Sequence, residues 1–275
     1  MKLEALFQHP DALPTAPKLV QELIESFNSE NVSSDEIVRK VAIDQVLSAK
    51  LLRLANSAYF HVSRSIGTVE DAVSMLGFVT VRTLVISNGL VNGFKAMPGF
   101  DLRSFWRYCL HTAVIAKWLS KKVQRNGDQA FTVGLMHAIG QLVMHTAMPE
   151  QMLQLDKIAG PLDPRRLDIE TTSFGYNFAT VGAELASRWH FPASFSTVID
   201  AFPAPLDREL VDDMACLIHL AVWRARAESN GLNEDEINAT FPFDVANRIG
   251  VSQALMCEDM PPLSDLVAGM DQLIT

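Results

Sequence analysis

The chain has 275 residues, enough for one large domain or two modest ones around a sizeable core. A composition of 48% hydrophobic and 20% charged residues is that of an ordinary soluble globular protein, and a net charge of −9 argues against nucleic acid or an anionic membrane as partner. The three cysteines, Cys109, Cys216 and Cys257, are far apart and form no CxxC pair, which excludes a zinc knuckle or disulfide framework and fits a cytoplasmic protein.

Helical periodicity dominates from the start of the chain. The opening MKLEALFQHPDALP carries acids and prolines where a signal peptide needs an apolar run, so secretion is not expected. Leu19, Val20, Leu23, Ile24 and Phe27 make one stripe of a helix starting near Thr15. Ser33 and Glu36 form a capping box ahead of Ile37, Val38 and Val41, because each side chain can satisfy the other end's orphan amide. Asp44 caps the next helix, which carries Leu47, Leu51 and Leu54. Thr68 with Asp71 opens another, before Val69, Ala72, Val73 and Leu76, and Gly77 ends it. Val81, Leu84, Val85 and Val91 belong to the helix that follows.

The stretch from Asn92 to Gly99 breaks the periodicity and divides the chain into two lobes, with a softer break at Phe202-Pro203-Ala204-Pro205. Asp101 opens a long helix whose basic run, Lys117, Lys121, Lys122 and Arg125, reads as a solvated flank. Phe131, Gly134, Leu135, Ala138 and Leu142 form the stripe of the next helix. Residues 129–149 contain no Asp, Glu, Lys or Arg, but His137, Gln141, His145 and two glycines are costly in lipid, so this is a buried helix rather than a membrane span. Later helices are expected from Asp163-Pro164, near Asn177, near Asp207, and as one amphipathic run from Ser264 to Ile274. No alternating strands bounded by hairpin turns occur. The chain reads as all-α, with about a dozen helices in two lobes.

Three segments bear residues with possible chemistry. Metal-assisted phosphoester hydrolysis needs ligands converging from several helices with an open position for water. His111 and His137 are the candidates, but the residue after His137 is Ala138, which supplies no carboxylate. His145 lies about 12 Å further along a straight helix, too far to share an ion with His137. The alternative is a pair of core histidines, each bonded to a carbonyl or hydroxyl. Arg53, Asn56 and Ser57, at the end of DQVLSAKLLRLANSAYF, either line a ligand groove or hold the following loop by bonds to its backbone. In FGYNFATVGAELASRWHFP, Asn177 is an N-cap, and Phe178 is apolar where a ligating site wants nitrogen or oxygen. Neither a GxSxG nucleophile elbow nor a GxxxxGK or GxGxxG phosphate loop is present.

Together these segments resemble the HDOD family, the bacterial HD-related output domain. The resemblance rests on LPTAP at 13–17, LLRLANSAYF at 51–60, IGTVEDAVSMLGFVTVRTLV at 66–85, LHTAVIA around His111, GLMHAIGQLV at 134–143 and FGYNFATVGAELASRWHFP at 174–192. It implies an HDOD domain over residues 13–208, with a helical first lobe to about residue 98. From about residue 99 a second lobe is similar to the HD phosphohydrolase core, and residues 209–275 form a helical extension packing on it. The resemblance also implies a role in bacterial signalling and a degenerate metal site. His111 matches the first histidine of the phosphohydrolase pattern and His137 the histidine of the His-Asp pair. The acids of the pattern fall on Ala138 and near Val222. The family often has a histidine where Phe178 stands, a histidine pair where this chain reads DAFPAP, and a lysine at Gln141.

Three readings follow. The first is a non-catalytic regulatory module, with no cofactor, that binds a signalling protein or small ligand. The second is a metal-dependent phosphohydrolase of nucleotides or cyclic dinucleotides, in which Asp101, Asp128 or Asp156 replaces the missing acids. The third is nucleotide sensing without hydrolysis through Arg53, Arg64 or Arg82. The departures at Ala138, Val222 and Phe178 favour the first.

Overall fold

The structure is a computed structural model that describes residues 2–8, 18–26 and 34–274. The LPTAP segment, Thr15, Phe27 and the Ser33 half of the first capping box lie outside these residues. The helices are α1 (Leu3–Leu6), α2 (Lys18–Glu25), α3 (Ser34–Ile43), α4 (Gln45–Ala55), α5 (Val69–Leu76) and α6 (Phe78–Gly93). After the break come α7 (Leu102–Lys122), α8 (Gly127–Met136), α9 (Ile139–Ala147), α10 (Pro149–Asp156), α11 (Arg166–Phe174), α12 (Phe178–Arg188), α13 (Ala193–Ala201) and α14 (Asp213–Ser229). Four short helices follow: α15 (Glu234–Ala239), α16 (Phe243–Arg248), α17 (Gln253–Cys257) and α18 (Leu263–Leu266). Thirteen of the eighteen run eight residues or more, and no strand occurs among the described residues.

Helices α2 to α6 pack on one another, while α7 packs on α8 and α14, and α12 on α9 and α13. A single hydrophobic cluster runs through both groups, and α6 meets α8 across their boundary. The chain ends cross over: α1 packs on α9, and the final 3-10 turn, Met270–Leu273, packs on α4, α6 and α7. No helix of the described residues is long and apolar enough to cross a membrane.

Local signals explain where most helices begin. Asp44 accepts the amides of Val46 and Leu47 at 3.1 and 3.0 Å, Thr68 that of Asp71 at 3.0 Å, and Asp101 that of Ser104 at 2.9 Å. Asn177 caps α12 through Ala179 and Thr180. Each bond satisfies one of the four orphan donors of a helix start.

Three expected helices are differently built. The stripe from Phe131 to Leu142 is two helices, not one, broken at His137-Ala138. The His137 imidazole takes the Gly134 carbonyl, which would otherwise continue the α8 ladder. Beyond the break, Gly140 seats α9 on α12: a Cβ there would collide with the Phe178 carbonyl oxygen and come within 2.7 Å of the Gly182 amide nitrogen. Near Asp207 only a 3-10 turn forms, Pro205–Asp207, because Arg208 leaves it in extended backbone with φ −92° and ψ 143°. The helix starts at Asp213, capped by Asp212. Finally, Ser264 to Ile274 is split into α18 and the 3-10 turn by Gly269, whose φ of 80° lies in the left-handed region.

Candidate functional site

His137 ends α8 and is fully buried. Its Nδ1 lies 2.6 Å from the Gly134 carbonyl oxygen and its Nε2 3.0 Å from the Tyr108 hydroxyl on α7. A carbonyl only accepts, so Nδ1 carries the proton and donates; Nε2 then accepts from Tyr108. Burial pushes the imidazole down to about 3, and the positive Arg226 on α14 pushes the same way, against the Gly134 bond. The Tyr108 hydroxyl, also buried, is raised to about 12. Phe202 closes the pocket edge-on, its ring 5.4 Å from that of His137, and Phe178 stands 6.3 Å from Phe202.

The positions that the resemblance gave to acids are apolar and buried. Ala138 is 0% and Val222 4% exposed, both within the core cluster. A metal at His137 would need the Nε2 lone pair that Tyr108 occupies, with charge neutralisation from anionic ligands. The residues present do not fit a divalent ion. Among the described residues, no group of three or more His, Cys, Asp or Glu is arranged to hold a metal.

His111 is differently placed. It is half-buried on α7, and its Nδ1 is buried without a hydrogen-bond partner among the described residues. Burial lowers its pKa, while the carboxylates of Asp271 and Glu228 oppose that and Arg107 reinforces it. His111 thus lies within electrostatic range of Asp271 and Glu228, whereas His137 faces Tyr108 and Phe202.

The acids weighed as replacements are engaged elsewhere. Asp101 caps α7, and Asp128 pairs with Lys117 at 3.1 Å. Asp156 belongs to a buried polar network that sequence reading missed. His145 Nδ1 faces the Gln141 carbonyl at 2.7 Å and Nε2 faces Asp156 at 2.8 Å, so both nitrogens donate. Arg166, 1% exposed, joins Asp156 at 2.6 Å to Glu170 at 2.8 Å, and Glu170 accepts the Phe178 amide at 2.7 Å. Burial pushes Asp156 up, but its bonds to His145 and Arg166 outweigh that and leave it below the usual carboxylate value. Burial raises Glu170 despite Arg166. An Arg and a Glu four residues apart read as a solvated surface pair, so nothing in the sequence marks this one as buried.

In the NSAYF segment, Asn56 Nδ2 donates to the Ile66 carbonyl at 2.8 Å and its Oδ1 accepts the Ile66 amide at 2.8 Å, clamping the loop. Ser57 is buried. Arg53 is exposed on the last turn of α4. Arg64 lies 3.8 Å from Asp71, and Arg82 donates to the Ser26 carbonyl at 3.3 Å.

Comparison with known proteins gives a consistent picture. The HDOD domain model matches residues 13–205. An uncharacterized protein of Treponema pallidum (strain Nichols) is 28% identical over 189 residues, covering 66% of this chain, which spans only 36% of that protein's length. A solved structure from Shewanella amazonensis SB2B, described as a "putative phosphohydrolase", is 29% identical with a TM-score of 0.81 and 98% of both chains covered. A structure of an HDOD domain protein with unknown function from Geobacter sulfurreducens has a TM-score of 0.75 at 21% identity, covering 98% of this chain and 94% of that one.

Proposed function

The chain belongs to the HDOD domain family, and we propose that within it this protein is a non-catalytic signalling module that binds a protein partner or small ligand. One observation carries the reading. The histidine that would anchor a metal has both nitrogens hydrogen-bonded inside the protein, to Gly134 and Tyr108, next to Ala138 in place of an acid. A neutral imidazole so engaged neither coordinates an ion nor activates a water. The buried Val222, Phe178 and Phe202 supply no charge to replace the missing ligands.

The test is metal analysis of purified protein after manganese, iron and zinc are each offered. Substoichiometric binding is expected; a full equivalent that disappears in His137→Ala would overturn the proposal. Ala138→Asp alone is expected to produce no phosphodiesterase turnover, since a lone carboxylate does not complete a metal cage.

A further inference from the structure

Two sequence features that the metal question leaves aside meet in one open cleft. The basic run of α7 reads as a solvated flank, yet Lys117, Trp118 and Lys121 line a cleft of about 500 Å³ together with Tyr59, Phe60 and His61 of the NSAYF segment and its continuation. Helices α5, α6 and α18 complete the lining, the last through Asp265, so both helix groups contribute to it. Clefts of this size at the junction of two packed units are common ligand sites. The aromatic rim is pre-built. Asn56 clamps Ile66 and so closes the loop that carries these residues, and His61 turns it with a φ of 46°, uncommon outside glycine. Tyr59 and Phe60 stand edge to face, with ring centres 4.9 Å apart.

The two lysines are not equivalent. Lys117 has a side chain 17% exposed, and its Nζ lies 3.1 Å from Asp128 and 5.8 Å from the centre of the Tyr59 ring, so its charge is already answered. Lys121, one turn on, is exposed in the same cleft and forms no ion pair among the described residues. Flat rings offer apolar area to another ring, and an unpaired ammonium offers charge to an acid. We propose that this cleft binds a small planar aromatic anion, a ring system carrying one carboxylate or phosphate, with the ring among Tyr59, Phe60 and Trp118 and the acidic group on Lys121. Asp265 opposes the anion and limits its affinity. This names a ligand class for the binding-module reading and rests on it, but the two fail separately: metal analysis decides that reading, and ligand titration decides this one.

The experiment titrates the full chain by calorimetry with naphthoate, naphthyl phosphate, the neutral naphthamide and inorganic phosphate. At least one of the two aromatic acids is expected to bind tenfold or more tightly than naphthamide and than inorganic phosphate, and the better of the two identifies the acidic group. Lys121→Glu is expected to weaken that binding at least tenfold and Asp265→Asn to strengthen it. Both positions are exposed, and circular dichroism of each variant verifies that the helices are intact. Binding by neither aromatic acid would overturn the proposal, as would equal affinity for naphthamide, an affinity that Lys121→Glu leaves unchanged, or weaker binding by Asp265→Asn.

Discussion

A neutral imidazole has one donor and one acceptor nitrogen, and at the fully buried His137 both meet protein partners. Tyr108→Phe removes the donor to Nε2 and leaves a buried acceptor unpaired, at a cost of about 1–3 kcal/mol measurable by urea denaturation. The same burial fixes the sign of the pH response. His137 titrates at about 3 in the folded protein, against an ordinary value of 6.5, so the unfolded chain binds the extra proton. Its contribution is complete above pH 6.5 and is lost as pH falls from there toward 3. His111 and His219, also lowered by burial, act in the same direction. The urea midpoint is expected to fall below pH 6.5, with a smaller slope in His137→Gln. A midpoint that rises on acidification would contradict the assignment of the ring as neutral.

At the scale of helices, two contacts determine how the second group is assembled. Gly140 allows α9 to touch the backbone of α12, and Gly140→Ala is expected to destabilise the fold by about 3 kcal/mol, because the obstacle is backbone rather than a movable side chain. Arg166 neutralises Asp156 and Glu170 in the interior. Arg166→Met strands the Glu170 carboxylate, leaves Asp156 to His145 alone and is expected to cost about 3–5 kcal/mol, much of it regained in the double variant with Glu170→Leu. Recovery absent from the double variant would show that packing, not charge, makes Arg166 necessary. The sequence made the helices legible where a local signal sets them, as at Asp44, Thr68, Asp101 and Asn177. The break at His137-Ala138 was not legible, because a buried side chain reaching back to Gly134 leaves no mark on an apolar stripe. For the site, the absence of acids beside His137 could be read directly. Tyr108 could not, since one tyrosine among helical apolar residues does not announce its partner.

Across the whole molecule, one hydrophobic cluster links the helix groups, and α6 and α8 share their boundary. All four tryptophans, Trp106, Trp118, Trp189 and Trp223, lie after residue 100, and Trp118 and Trp106 also line clefts with Tyr59 and Val91, so their fluorescence reports on the second group and on its contact with the first. Because the core is continuous, their unfolding transition is expected to coincide with that of total helicity by circular dichroism. Two separated midpoints would mean that the groups melt independently. The crossing of the chain ends also sets a timetable for synthesis. Residues 2–8 wait for α9 before finding their seat, and the flank of α4 stays uncovered until residues 270–273 have been made. On the ribosome, therefore, α4 and α6 emerge before the turn that covers them has been made, and chaperones meet that bare surface first.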